Sequence, residues 1–284
     1  MNFSYSPAAQ ELADMTRDLA CSGRPLWPAL AEAGVLAAAL PERAGGDGHG
    51  LPEQCAILVE LGRAAAAVPY LTSILTASAV AHFGTDEQVE TLAIPASRGS
   101  LILTPDLRPS PAGAAWLSPA GPASLPPAGA AWLSPAGAAS LPPAGAAWLR
   151  ERLTIGAAAM QLGITERALE MTADYARERV QFGRPIGSFQ AVAQRLADAW
   201  IDVEALRLTL WQAVCRPETA EIATAGFWAA EVGHRVLHTA VHVHGGVGID
   251  LEYPLHRYFL AAEKIEFQLG GATRQLLDLA EVLP

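Results

Sequence analysis

The segment from residue 111 to residue 149 contains no charged side chain, because it is an internal repeat. Five copies of one octapeptide follow each other, as PAGAAWLS, PAGPASLP, PAGAAWLS, PAGAASLP and PAGAAWLR. Proline and glycine recur in every copy and would break a membrane-spanning helix repeatedly. A period of eight fits neither the collagen triplet nor the coiled-coil heptad. The repeat therefore predicts an extended or loosely packed linker, and the alternative is a binding platform formed by Trp116, Trp132 and Trp148.

The composition of the whole chain excludes several classes of protein. Of its 284 residues 51% are hydrophobic, which is enough for a buried core, and the net charge of -10 argues against a nucleic-acid partner. Cys21, Cys55 and Cys215 are too few and too far apart for a disulfide scaffold. The first residues lack the basic and apolar regions of a signal peptide. We therefore expect a cytoplasmic protein without a membrane or nucleic-acid partner.

Both flanks of the repeat have the apolar spacing of helices. Before it, helices are predicted over 26–40, 52–66 and 71–82, Thr85 caps a fourth, and residues 101–105 predict a strand that does not continue. After it, helices are predicted over 151–179, 189–215, 219–244 and 254–269, with a last helical stretch to 283. We predict a mostly α protein with an N-terminal helical domain (1–104), a repeat linker (105–149) and a C-terminal four-helix bundle (150–284).

Two glycine clusters could be taken for phosphate-binding loops. They are GGDGHG from Gly45 and HGGVG from His244. Neither has the Lys-Ser/Thr pair of a Walker loop, and neither follows a predicted strand. On local grounds both are predicted to be turns.

Four histidines lie close together on one predicted helix, at positions 234, 238, 242 and 244. The first three have the i, i+4, i+8 spacing that places side chains on one helix face. A metal site would also need a cysteine or carboxylate at ligand spacing, and Glu231 is the one carboxylate nearby in sequence. No metal site is predicted, and packing or a hydrogen bond to a cofactor is the preferred interpretation.

The segment RERVQFGRPIGSFQ, residues 177–190, has the strongest chemical pattern. It places arginines and glutamines around a phenylalanine and two glycines, between two predicted helices. Guanidinium and amide groups in such a loop suit phosphate oxygens, and an aromatic ring can stack on an adenine. The alternative is an ordinary polar loop between helices.

The sequence resembles the acyl-CoA dehydrogenases, flavoproteins that oxidise acyl thioesters across the α,β bond. The resemblance rests on LWPALAEAGVLAAALPERAGGDGHG, on RERVQFGRPIGSFQAVAQRLAD and on HVHGGVGIDLEYPLHR, in this order. It implies FAD as cofactor, an acyl-CoA as substrate, an electron-transfer flavoprotein as electron acceptor, and oligomers formed through the C-terminal bundle.

The resemblance also implies roles for individual residues. Arg179 would bind the FAD pyrophosphate of a neighbouring subunit with the help of Gln190, and Phe182 would lie near the adenine. Gly246 would allow the backbone to approach the cofactor. The cofactor-binding set implied by the resemblance is Arg179, Gln181, Phe182, Gln190, His242, Gly245 and Gly246, with His242 where the family usually has glutamine.

The catalytic base is the first departure from the family pattern. The family removes the α-proton with a carboxylate, but the equivalent position here is Leu269, or Gly270 if the register slips by one. Glu266 lies about one helical turn upstream and would need a different orientation to replace it. Some family members carry the base on the first helix of the C-terminal domain, where this chain has Glu151. Glu151 is therefore the candidate base, and the alternative is a carboxylate that complements the helix dipole.

The second departure is the repeat, which occupies the interval where the family has a middle β-domain. We therefore expect the family fold without its middle β-barrel, and with a cofactor site that is incomplete within one chain. The function predicted first is FAD-dependent α,β-dehydrogenation of an acyl-CoA within an oligomer. The alternative is a non-catalytic scaffold subunit of a hetero-oligomeric acyl-CoA dehydrogenase.

Overall fold

The computed structural model describes residues 5–106, 115–120 and 139–282. Helices dominate these residues, and their strands form one three-stranded sheet and one two-stranded hairpin. Over the same residues there is no β-barrel, so the predicted mostly α class without a middle barrel is confirmed. None of the helices described is both long and apolar enough to cross a bilayer.

The chain before the repeat is helical from Pro7 onward. Its helices are α1 (Pro7–Cys21), α2 (Leu26–Glu32), α3 (Leu51–Arg63), α4 (Tyr70–Phe83), α5 (Asp86–Gln88) and α6 (Ile94–Ser97), with a π-helical segment (Val89–Ala93) between the last two. Thr85 caps α5 as predicted, in a capping box with Gln88. The helix predicted over 26–40 is shorter than expected. It ends at Glu32 because Gly34 adopts a left-handed φ of 77°, which no α-helix contains.

Parts of the repeat belong to a small antiparallel sheet. Strand β1 (Ile102–Asp106) pairs with β2 (Ala115–Ala120), and β2 pairs with β3 (Ala139–Leu141). Ile102 lies opposite Ala120, and Ala115 lies opposite Leu141. The expectation that no further strand follows the one at 101–105 is therefore wrong, because β2 pairs with it. The repeat supplies backbone N–H and C=O groups that pair with β1, and such pairing does not depend on large side chains.

The last octapeptide copy is helical. Helix α7 (Pro143–Glu178) begins inside it, at a proline whose fixed φ suits the first turn of a helix. Ala146 and Leu149 are fully buried. The structure thus differs from a linker that extends to residue 149, because the apolar spacing of this copy continues into the helix that follows.

The tryptophans of the alternative interpretation, a binding platform, lie largely outside the residues described. This applies to Trp132 and to the side chain of Trp116. The ring of Trp148 packs against the rings of His82, at 5.1 Å between centroids, and of Phe83, at 5.9 Å. Trp148 is therefore engaged in packing within its own part of the fold.

The chain after the repeat follows the predicted helices closely. It contains α7, strands β4 (Val180–Gln181) and β5 (Arg184–Pro185), a 3-10 turn (Ile186–Ser188), α8 (Gln190–Cys215), α9 (Thr219–His244), a second 3-10 turn (Gly245–Ile249), α10 (Leu255–Leu269) and α11 (Gly271–Ala280). Helix α9 has the predicted ends, and α8 and α10 begin one residue later than predicted. Within this part α9 packs against α8, α10 and α11.

Two compact units divide the chain, and neither is continuous in sequence. Among the described residues, one unit consists of 58–66 and 154–282, and the other of 5–57, 67–106, 115–120 and 139–153. In the first, glycines let α3 and α7 approach closely, since a Cβ on Gly163 would collide with the carbonyl oxygen of Val59. Arg63 at the end of α3 forms ion pairs of 2.7 Å with Glu166 and with Glu170. In the second unit, α4 contains the fully buried Tyr70.

Candidate functional site

The segment predicted to bind phosphate is a tight hairpin that follows α7. Val180 pairs with Pro185, and Gln181 pairs with Arg184. The two residues of the turn have positive φ, 52° for Phe182 and 77° for Gly183, as the favoured two-residue hairpin turns require. Phe182 in this turn is 93% exposed. The ring is available to stack on a planar group.

Arg179 lies between α7 and this hairpin, and its backbone is fixed on both sides. Its N–H donates to the carbonyl oxygen of Tyr175 at 2.8 Å, and its own carbonyl oxygen accepts from the N–H of Ile186 at 2.8 Å. Its side chain is exposed and makes no ion pair with any residue that the structure describes. In contrast, Arg177 is paired with Asp174 at 2.6 Å. Arg179 is thus an anchored and uncompensated cation, which suits an anion from outside the unit.

Arg184 and the two glutamines of this segment have different surroundings. The guanidinium of Arg184 lies 4.2 Å above the ring of Phe189, a cation–π contact. The amide of Gln181 donates to the carbonyl oxygen of Val180 at 2.7 Å, so it already has a local partner. Gln190 is exposed and begins α8, whose N-cap residue Phe189 has no capping side chain. The N–H groups of Val192 and Ala193 donate to the carbonyl oxygen of Phe189, so in the first turn of α8 those of Gln190 and Ala191 are the ones available to an anion.

The second predicted segment begins at the C-terminus of α9. His242 is exposed in the last turn, and Gly245 follows the helix with a φ of 61°. A Cβ placed on Gly246 would meet no atom of the described residues within 4 Å. Packing within the unit therefore does not require glycine at position 246. Close approach of another molecule to the backbone would account for it.

A buried histidine connects the two segments. The ring of His244 is stacked on Tyr175 with centroids 4.3 Å apart, its Nδ1 lies 2.8 Å from the carbonyl oxygen of Ala240, and its Nε2 lies 3.1 Å from the hydroxyl of Tyr253. Burial lowers the pKa of His244 and raises the pKa of Tyr253, so both are neutral near pH 7. Since Tyr175 lies one helical turn before Arg179, the stack brings the start of the glycine segment against the end of α7.

Sequence reasoning misses Tyr175 and Tyr253 as members of this site. A signal for Tyr175 exists, because it is four residues before Arg179 and lies on the same helix face. The sequence places His244 with the other histidines of α9. The structure instead buries it, whereas His234, His238 and His242 are exposed.

The candidate base lies apart in sequence from these segments. Glu151 is half-buried in α7 and belongs to the second unit, whereas the predicted cofactor-binding residues belong to the first. Burial raises the pKa of Glu151, against the opposing effect of the neighbouring charge of Arg152. A carboxylate in such surroundings is a stronger base than an exposed one.

The position at which the family resemblance implies a base holds no carboxylate here. Leu269 is buried, and Gly270 ends α10 in the left-handed conformation. Glu266 points toward His234, with 3.4 Å between Oε2 and Nδ1.

Family models match both flanks of the repeat. The model described as "Acyl-CoA dehydrogenase, N-terminal domain" matches residues 4–100, and the one described as "Acyl-CoA dehydrogenase, C-terminal domain" matches residues 145–283. Among curated proteins, the acyl-CoA dehydrogenase FadE27 of Mycobacterium tuberculosis is 42% identical to this chain. That alignment spans 368 positions and covers 100% of this chain and 99% of the relative. Because 368 exceeds 284, the relative contains residues that this chain lacks.

Solved structures agree with these matches. A chain of the ChsE4–ChsE5 complex from Mycobacterium tuberculosis is 39% identical to this chain, with a TM-score of 0.87 over 100% of both chains. A chain from a variant of the Tcur3481–Tcur3483 steroid ACAD is 31% identical, with a TM-score of 0.79 over 96% of both chains.

Proposed function

Because the chain belongs to the acyl-CoA dehydrogenase family, we propose that it is one subunit of an oligomer that carries out FAD-dependent α,β-dehydrogenation of an acyl-CoA. The observation that supports this most strongly is Arg179, an anchored, exposed arginine without an ion-pair partner in the described part of the chain. It occupies the position where the family resemblance implies contact with the FAD pyrophosphate.

The adenine side of the cofactor fits the residues that are present. The guanidinium of Arg179 can donate two hydrogen bonds to a phosphate. The uncapped start of α8 supplies N–H donors, and Gly246 leaves room for a close approach to the backbone. The exposed ring of Phe182 is suited to stacking on adenine. When bound, FAD accepts the hydride that leaves the β-carbon of the acyl group. In this proposal Glu151 takes the proton from the α-carbon.

The flavin-ring side of the cofactor requires another chain in this proposal. The described residues contain no β-barrel in the interval between the two helical parts. Large apolar side chains are exposed on bundle helices, including Trp200, Ile201 and Leu208 on α8 and Leu260 and Phe267 on α10. Such side chains are typical of surfaces that become buried on association. A relative solved as a complex of two differently named proteins supports a hetero-oligomer over a homo-oligomer.

A non-catalytic role is the second candidate function. It is favoured by Leu269 and Gly270, which stand where many family members have the catalytic base. In that case the chain would complete the adenine side of a cofactor site and stabilise a catalytic relative. The two candidates share the Arg179 hairpin and differ in the role of Glu151.

The remaining parts of the proposal concern the electron acceptor, the substrate and the cellular location. An electron-transfer flavoprotein is the proposed electron acceptor, as the family resemblance implies. The steroid ACAD among the relatives suggests a steroid-linked acyl-CoA as a first substrate to test. We also propose a cytoplasmic location, which agrees with three cysteines that are all free thiols.

The proposal is tested by purifying the chain alone and co-expressed with a second acyl-CoA dehydrogenase-family chain from the same organism. Flavin absorbance and its bleaching by an acyl-CoA are then recorded for both preparations. We expect little flavin in the chain alone, and flavin that bleaches in the co-purified complex. Full flavin and bleaching in the chain alone would contradict the need for a partner. A complex without flavin would contradict both candidate functions.

A further inference from the structure

Two histidines of α9 lie side by side on the surface of the bundle. His234 and His238 are one helical turn apart, and their ring centroids are separated by 4.3 Å. Their side chains are 54% and 51% exposed, so a solute can reach both rings. A pair of histidines at i and i+4 presents two imidazole nitrogens to one point, as helical metal sites require.

Helix α10 places two carboxylates against these rings. Glu266 Oε2 lies 3.4 Å from His234 Nδ1, and Glu263 Oε1 lies 3.9 Å from His238 Nε2. Both of these oxygens are inaccessible to solvent, and neither receives a hydrogen bond from the residues described. A buried carboxylate oxygen without a donor is costly, so an additional cationic partner would stabilise both side chains.

We propose that His234, His238, Glu263 and Glu266 form a divalent-cation site of the zinc class. Imidazole nitrogen and carboxylate oxygen are both ligands that Zn²⁺ accepts, and four of them satisfy its tetrahedral geometry. Ligand atoms around a tetrahedral Zn²⁺ lie about 3.3 Å apart, given metal–ligand bonds of about 2.0 Å. The separation of 3.4 Å between His234 and Glu266 matches this value. The candidate ligand atoms of His234, His238 and Glu263 lie within 4.8 Å of one another, so binding of the cation would require them to move closer together.

Direct pairing of the histidines with the glutamates is a poorer explanation for the cluster. At 3.4 and 3.9 Å the two nitrogen–oxygen contacts are longer than charged hydrogen bonds, which measure about 2.7–2.9 Å. One divalent cation satisfies both rings and both carboxylates at once, and it neutralises the two negative charges. The site would join α9 to α10 and stabilise the bundle. It is independent of the proposed flavin function, since none of the four residues belongs to the predicted cofactor-binding set.

The test uses the full chain, freed of metal with a chelator and titrated with Zn²⁺ by calorimetry. The compared variants are His234→Ala/His238→Ala and Glu263→Gln/Glu266→Gln, and His256→Ala is the matched control for a histidine outside the cluster. We expect one Zn²⁺ per chain in the wild type and in the control, and an affinity more than about tenfold weaker in both double variants. Circular dichroism of each variant establishes that it remains folded.

Co²⁺ gives a second measurement that does not depend on any variant. Visible absorption bands of four-coordinate Co²⁺ in the wild-type chain are expected. Absence of Zn²⁺ binding in the wild type would overturn the proposal. Unchanged affinity in Glu263→Gln/Glu266→Gln would also overturn it, since it would leave only an ordinary histidine pair that chelates metal. A loss in His256→Ala equal to that in the double variants would do the same.

Discussion

The imidazole of His244 is stacked on the ring of Tyr175, with centroids 4.3 Å apart and planes 22° from parallel. The contact joins the turn before Arg179 to the segment that contains Gly246. His244 is 3% exposed, and its two ring nitrogens lie near the carbonyl oxygen of Ala240 and the hydroxyl of Tyr253. The two segments of the candidate cofactor site are therefore held together by a buried, neutral histidine.

Stability is expected to depend on pH through His244. Its pKa is lowered in the folded chain by burial, below the ordinary value of 6.5. Above pH 6.5 both states are neutral at this residue and its full contribution is present. As pH falls below 6.5 the unfolded chain binds a proton that the folded chain does not, so the free energy of unfolding decreases until the folded pKa is passed. Urea unfolding at several pH values between 7.5 and 5 measures this decrease.

The variant His244→Phe separates this effect from the titration of other groups. It keeps an aromatic ring against Tyr175 but removes the titration, so the pH dependence between 7.5 and 5 should become shallower than in the wild type. Loss of the hydrogen bonds should also lower stability at pH 7.5 by about 1–3 kcal/mol. An identical slope in the two proteins would contradict the assignment to His244.

Much of this site could be predicted from sequence, but the connection within it could not. The residue types of 177–190 predict a phosphate-binding loop, and the family resemblance implies the role of Gly245 and Gly246. The stack of His244 on Tyr175 joins residues of two helices and has no local signature. The sequence does not indicate Glu263, and it indicates Glu266 only as a possible replacement for the base, because both lie on α10 and face histidines of α9.

Replacement of Gly246 by alanine should affect the cofactor and leave the fold intact. An added Cβ meets no described atom within 4 Å, so the melting temperature should be unchanged. Flavin content of the co-purified complex should fall, because the methyl group would occupy the space of the approaching cofactor. Gly163→Ala is the matched comparison, and it should destabilise the chain because its Cβ collides with Val59. Wild-type flavin content in Gly246→Ala would remove Gly246 from the site.

Replacement of Glu151 by glutamine distinguishes the two candidate functions. If Glu151 takes the α-proton, flavin content should be unchanged while bleaching by an acyl-CoA slows by about 100-fold or more. Glu90→Gln is the matched comparison, an exposed carboxylate outside both candidate sites, and should bleach normally. Normal bleaching in Glu151→Gln would leave the non-catalytic role as the better account.

A cluster of charges around Glu166 should contribute measurably to stability. This carboxylate is 11% exposed and forms ion pairs with Arg63 at 2.7 Å and with Arg207 at 2.8 Å. Glu166→Gln would leave two partly buried arginines less compensated, and should cost about 1–3 kcal/mol in urea unfolding. Asp174→Asn is the control, because its ion pair with Arg177 is exposed and should contribute less than about 0.5 kcal/mol. Equal losses in the two variants would contradict this difference.

The helix ends were predictable where proline or glycine marks them in the sequence. Helix α9 has the predicted ends because Pro217 precedes it and Gly245 follows it. The last repeat copy has nearly the same amino acids as the other copies. Its composition therefore does not predict that it is helical. Leu149 is buried there because α7 continues past it. The ion pair of Arg63 with Glu166 could not be predicted from the sequence either, since it joins residues far apart in the chain.

The most direct test of the account is the flavin content of the co-purified complex when Arg179 is replaced by alanine. Arg177→Ala is the matched control, since Arg177 is already paired with Asp174. We predict that both variants assemble, that Arg177→Ala keeps its flavin, and that Arg179→Ala binds FAD about tenfold more weakly or worse, as expected for loss of a charged hydrogen bond. Unchanged FAD binding in Arg179→Ala would contradict the central claim that this chain contributes its hairpin to a flavin site.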